Sequence, residues 1–209
     1  MNNKEEYVFR VITLGNYSVG KTSIIRQYIE NEFRTSTLST IGIEFNRKKI
    51  TIDNGEEIKL KIIDTSGQEK YQALSKGYFK NADGILFVFS MNDKRTLQKL
   101  EKWIDCFDEN CKQDRKIIRA LVGNKIDLER DVSEDEVKSF AKKYNLKEFY
   151  VSAKSGEGIE ELFQYIGKEM YEEYIKNKDL IFSQTYLKLN TYTEKKKRIK
   201  CCMDQFSQE

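Results

Sequence analysis

Gly15-Asn16-Tyr17-Ser18-Val19-Gly20-Lys21-Thr22 is the stretch on which the fold turns. Before it runs an apolar, β-rich segment, Tyr7–Leu14. After it, from Lys21 to about Asn31, Ile24, Ile25, Tyr28 and Ile29 recur at helical spacing. The spacing G-x-x-x-x-G-K-[ST] between a strand and a helix predicts a phosphate cradle. Its glycines let the backbone curl so that successive N–H groups point inward, and the helix start adds its positive dipole end. Gly15, Tyr17, Ser18, Val19, Gly20 and Ser23 are expected to line the nucleotide. Lys21 should reach the β- and γ-phosphates and act as a catalytic cation. The Thr22 hydroxyl should hold Mg²⁺, which takes few protein ligands and keeps waters.

Working outward, Glu44–Ile52 and Glu57–Ile63 read as strands joined by the turn signal Asp53-Asn54-Gly55. Gly84–Ser90 and Ile117–Val122 are short apolar strands suited to burial on both faces. Glu148–Val151 is a last short strand. Thr96–Phe107, Glu134–Tyr144 and Ile159–Ile175 read as helices, the second capped by Ser133 with Glu136 three residues on. Phe33–Ile43, rich in Ser and Thr, reads as a mobile surface loop. Strands alternating with helices predict an α/β fold. It is a mostly parallel six-stranded sheet with one antiparallel strand, of P-loop type, with helices on both faces. Residues 1–177 form the expected domain, and 178–209 a flexible basic tail containing Cys201-Cys202.

Asn124-Lys125-Ile126-Asp127 follows a strand at the end where α/β ligands bind. A fixed carboxylate at Asp127 can accept from the ring N–H and the exocyclic amine of guanine. Adenine offers no such donor pair, and leaving the carboxylate unpaired against it is costly. The stem of Lys125 would lie along the base, and Asn124 would tie loops together. In Ser152-Ala153-Lys154, the Ala153 N–H would meet the guanine carbonyl. Phe33 is expected to cover base or sugar. On the phosphate side, Thr40 and Asp64 complete the expected Mg²⁺ set, and Gly67 would give its N–H to the γ-phosphate. These contacts need the third phosphate, so its loss would release both segments. Gln68 is expected to orient the attacking water. The combination predicts binding of GTP and GDP and hydrolysis of GTP, slow without an activating partner.

Composition restricts the alternatives. In 209 residues there are no histidines and no prolines, with 39% hydrophobic and 34% charged residues. Chemistry must therefore run on carboxylates, amides, hydroxyls, lysines and a bound ion. No run reaches the roughly 18 apolar residues of a membrane span, and Met1–Glu6 does not read as a signal peptide. Cys106, Cys111, Cys201 and Cys202 form neither a disulfide framework nor a zinc ribbon. From Lys188 onward six basic residues face three acidic ones. That tail carries the whole net charge of +3, and the chain before it sums to zero. No nucleic-acid surface is expected.

With these motifs in place, the chain resembles Ras-superfamily small GTPases, and within them the Rab branch, over about Tyr7 to Tyr174. Ile41–Phe45 (IGIEF), Lys59–Asp64 (KLKIID) and Tyr78–Ala82 (YFKNA) carry the branch-level likeness. The resemblance implies a monomeric switch in vesicle-mediated membrane traffic. A guanine nucleotide exchange factor would load it, a GTPase-activating protein would turn it off, and effectors would read an exposed surface near Ile41, Phe45 and Tyr78. It also implies residence on the cytoplasmic face of intracellular membranes with a cytosolic pool, held there by a basic, prenylated tail.

Three departures stand out. Tyr17 and Ser18 fill cradle positions where the family carries small residues. A phenol there either points outward or crowds the reaction, which leaves open a hydrolysis-impaired, GTP-bound scaffold as the alternative. Ile63 and Ser66 replace a tryptophan and an alanine, and are expected to alter the effector surface more than the nucleotide site. Cys201-Cys202 is followed by seven residues, Met203–Glu209, more than is usual after prenylated cysteines. A nucleotide kinase is a further rival, disfavoured by Asp127 and Ala153 and by the lack of a basic lid.

Overall fold

The computed structural model describes residues 6–35, 40, 42–67, 77–111 and 115–180. Six strands form one sheet: β1 (Tyr7–Leu14), β2 (Ile43–Thr51), β3 (Glu57–Thr65), β4 (Gly84–Ser90), β5 (Ile118–Asn124) and β6 (Lys147–Tyr150). Their order is β2-β3-β1-β4-β5-β6. Only the β2–β3 pair is antiparallel; β1 pairs with β3 and β4, β4 with β5, and β5 with β6, all in parallel. The expected mixed α/β sheet is therefore present. Helices α1 (Lys21–Glu30), α2 (Lys94–Asn110) and α3 (Glu134–Tyr144) follow the crossovers, and residues 159–180 form α4.

Strand alternation sorts the core into two layers. Phe9, Val11, Leu60, Leu86 and Val88 face a layer with Ile24 and Tyr28 of α1 and Phe163 and Ile166 of α4. Ile12, Leu14, Ile63, Phe87 and Phe89 face the other, with Leu100, Trp103 and Phe107 of α2. All seven residues of β4 are buried, as a strand covered on both faces requires. Phe87, Phe89, Phe107 and Phe163 are fully buried, each worth about 1.5–3 kcal/mol of burial.

Element ends differ from the sequence reading where side chains cap or pair. Helix α2 begins two residues earlier than Thr96, because the Asp93 carboxylate accepts the Arg95 N–H. Strand β3 runs two residues past Ile63, since Thr65 still pairs with Ile43. At α3 the predicted capping box between Ser133 and Glu136 is formed.

The chain divides into two compact units, Met1–Tyr171 and Glu172–Glu209. The described part of the second, 172–180, is helical, beyond the expected helix end at Ile175. Ile41, Gln68 and Cys201-Cys202 lie outside the described residues.

Candidate functional site

The site forms at the carboxyl ends of β1, β3, β4 and β5, where three loops meet. The cradle between β1 and α1 is tightly built. Gly20 has φ 95°, and an added Cβ would lie 2.3 Å from the Asn124 Nδ2. Gly67 sits so close to the cradle that a Cβ would lie 2.4 Å from the Asn16 carbonyl carbon and the Tyr17 nitrogen. Ser18 holds φ 63°, a left-handed conformation sparsely used by residues other than glycine. Such backbone persists only where its surroundings fix it. Here the Lys125 ammonium donates to the Ser18 carbonyl at 2.9 Å.

Lys21 is only 5% exposed, and its Nζ donates to the carbonyls of Gly15 (2.8 Å) and Asn16 (3.0 Å). Burial pushes its ammonium down to about 8, against the opposing pull of the Asp64 carboxylate. A buried ammonium facing two neutral carbonyls is a group that an anion would stabilise. One cleft around it is lined by Tyr17, Ser18, Gly20, Lys21, Thr22, Ser23, Thr40, Thr65, Ser66 and Gly67.

Three oxygens converge beside this cleft. The Thr22 Oγ1 donates to the Asp64 Oδ2 at 2.5 Å and lies 2.8 Å from the Thr40 Oγ1. Burial raises the Asp64 carboxyl above the ordinary carboxylate range; the bond from Thr22, the Lys21 charge and the bond from Thr13 act the other way. Hydroxyl and carboxylate oxygens together are the donor chemistry Mg²⁺ selects, so the residues fit such an ion. Among the described residues no cluster of three or more Cys, Asp or Glu could hold a metal.

A second cleft joins the first through Ser18, Gly20 and Ser23. Its far wall is Phe33, Asn124, Lys125, Asp127, Leu128, Ala153 and Lys154. Asn124, 1% exposed, binds two loops at once: its Nδ2 donates to the Val19 carbonyl (2.8 Å), and its Oδ1 accepts the Ala153 N–H (3.1 Å). In this structure the Ala153 N–H is thus directed at Asn124. The Ser152 Oγ donates to the Asp127 Oδ1 at 2.6 Å and accepts the N–H groups of Lys154 and Ser155. That network fixes the carboxylate. Lys125 holds φ 67°, and burial lowers its ammonium against the pull of Asp93 and Asp127. Phe33, 40% exposed, stands at the rim.

Every sequence-predicted site residue that the structure describes lines these clefts or binds their walls; Gln68 is not among them. Some participants were not anticipated. Thr13, on an otherwise apolar strand, donates to the Asp64 Oδ1 at 3.3 Å, and Thr65 donates to the Thr13 carbonyl at 2.6 Å. A buried threonine interrupting Val11–Leu14 is the signal that could have found it. The expectation for Ile63 and Ser66 needs correction. Both are buried, at 3% and 2%, and Ser66 lines the cleft around Lys21, so neither shapes the exposed surface directly.

The profile of the Ras family matches residues 10–172, and the chain belongs to that family. It is 40% identical over 177 residues to Ras-related protein Rab-11B of Dictyostelium discoideum, covering 84% of this chain and 79% of that one. Ras-related protein Rab-21 of Homo sapiens is 38% identical over 173 residues, covering 79% of this chain and 73% of the relative. Ras-related protein RABA5c of Arabidopsis thaliana is 35% identical over 169 residues, with 80% and 78% covered. The chain is a small GTPase close to the Rab proteins.

Proposed function

We propose that this protein is a Rab-like switch that binds GTP and GDP at the joined clefts, hydrolyses GTP, and serves vesicle-mediated membrane traffic. The observation that carries the reading is the continuity of two chemistries. A buried lysine and converging hydroxyls stand at one end, and a carboxylate locked by Ser152 at the other. Asp127 would accept the two guanine donors and so select the purine. Lys125 would flank the ring, and Phe33 would shield it. Lys21 would neutralise the terminal phosphates, while N–H groups of residues 17–22 bind their oxygens. When bound through Thr22, Thr40 and Asp64, Mg²⁺ supplies positive charge against the phosphates.

Gln68 is proposed to hold the attacking water, and Gly67, packed against the cradle, to carry the γ-phosphate signal into its segment. Tyr17 is 57% exposed at the rim of the cleft, which supports cycling rather than blocked hydrolysis. Exchange factors, activating proteins and effectors regulate Rab proteins in general, and the switch segments beside Thr40 and Gly67 are where they would act here. Residues 178–209 are proposed to tether the domain to membranes through the basic run and Cys201-Cys202. Among the described residues no helix is long and apolar enough to cross a membrane. Single-turnover hydrolysis tests the reaction. Wild type should release phosphate from GTP, Gln68→Leu should slow it by about tenfold or more, and Tyr17→Gly should change it little. A large gain in Tyr17→Gly would favour the hydrolysis-impaired scaffold.

A further inference from the structure

Summed along the chain, the residues before Lys188 carry no net charge, yet the sheet does not distribute that charge evenly. Arg10 of β1 lies in register with Lys61 of β3, and Lys61 with Arg47 of β2. Two residues along in one direction the matching row is Ile12, Ile63 and Phe45; in the other it is Val8, Lys59 and Lys49. Ile12 and Ile63 belong to the core layer that includes α2, so period-two alternation puts all three rows on that face. Adjacent strands are about 4.8 Å apart, which places three cations within about 10 Å, close to one screening length.

The lower cations are partnered: Lys59 with Glu6, and Lys49 with Glu57 at 3.6 Å. Asp83 is taken by the Arg115 guanidinium and the Arg10 backbone N–H. Arg10, Lys61 and Arg47 have no ion-pair partner among the described residues. Like charges set directly opposite one another on a sheet cost stability. Beside this row stand two exposed rings, Phe45 (58%) and Tyr78 (36%), edge to face with centroids 5.5 Å apart.

We infer that the partner expected to meet Phe45 and Tyr78 is an acidic protein segment, one that seats a large apolar side chain on these rings and lays several Asp or Glu along Arg47, Lys61 and Arg10. A protein segment suits the face better than an anionic bilayer. Glu6 and Glu57 stand among the lower cations, where a continuous anionic surface would meet them and a narrow chain passes them by. The inference rests on the reading of this chain as a switch whose partners dock beside its switch segments.

The test is a chemical-shift map of the ¹⁵N-labelled full chain, loaded with GDP or with a non-hydrolysable GTP analogue. One probe is a synthetic peptide with a tryptophan followed by a run of glutamates; its control carries lysines instead. The acidic peptide should shift amides of β1, β2 and β3 around Arg10, Phe45, Arg47 and Lys61, and Tyr78, with affinity falling as salt rises. Arg47→Glu combined with Lys61→Glu should weaken it by about tenfold or more while nucleotide affinity stays unchanged. Lys61→Glu alone should raise the melting temperature by about 1–4 °C, by relieving the repulsion. Absent shifts, equal shifts with the lysine peptide, or a lowered melting temperature would overturn the inference. So would vesicles of phosphatidylcholine and phosphatidylserine that shift the same amides more strongly. Failure of the wild type to hold guanine nucleotide would instead sink the switch reading, and the peptide map would still be readable.

Discussion

Replacing Asn124 by alanine removes a side chain that joins the cradle to the Ser152–Lys154 loop. Its amide is 1% exposed and makes two bonds, to the Val19 carbonyl and from the Ala153 N–H. Both backbone partners lie in buried residues. Alanine would leave an acceptor and a donor without their partner, at about 1–3 kcal/mol each. Allowing for partial relaxation, the total is about 2–4 kcal/mol. Much of this should appear at the site, because Gly20 is pressed against the same amide and cannot follow a shifted loop without moving the cradle. At about 1.4 kcal/mol per decade, release of GDP should accelerate by roughly 30- to 1,000-fold. Stopped-flow release of a fluorescent GDP analogue measures this, with urea denaturation of the same variant run in parallel. Release within about threefold of wild type, at an unchanged urea midpoint, would refute the reasoning that Asn124 holds the two loops in register.

Two further outcomes are expected. Ser152→Ala removes the 2.6 Å donor to Asp127, so GTP and GDP should both bind about 5- to 30-fold more weakly by titration calorimetry; unchanged affinity would deny Ser152 its positioning role. Chelation of Mg²⁺ with EDTA should speed nucleotide release by about tenfold or more, and Thr22→Ala should largely abolish that difference; equal chelator sensitivity in the variant would remove Thr22 from the ion's shell.

Much of the fold was readable because its signals are local. Gly15–Thr22 carries its own spacing, Asp53-Asn54-Gly55 its own turn, and Ser133 with Glu136 its own cap. The second cleft was readable for a similar reason, since Asn124–Asp127 and Ser152–Lys154 are short and contiguous. What escaped depends on partners far apart in sequence. Asp93 is the local exception: it starts α2 earlier than periodicity suggests, because its carboxylate takes the N–H of Arg95 two residues on. Thr13 supports Asp64 across two strands, 51 residues away. Ser66 looked like a surface change and is buried in the cleft wall. The row of Arg10, Lys61 and Arg47 is invisible to any sum along the chain, since it exists only once β1, β3 and β2 lie side by side.

The purine preference of the purified protein, before and after Asp127→Asn, tests the proposed base reader most directly. Wild type should favour GTP over ATP by about 10⁴ or more in competition binding, and the variant should lose most of that preference. ATP binding as tightly as GTP in the wild type, or a preference left intact by Asp127→Asn, would contradict the proposal that the Asp127 carboxylate chooses the base.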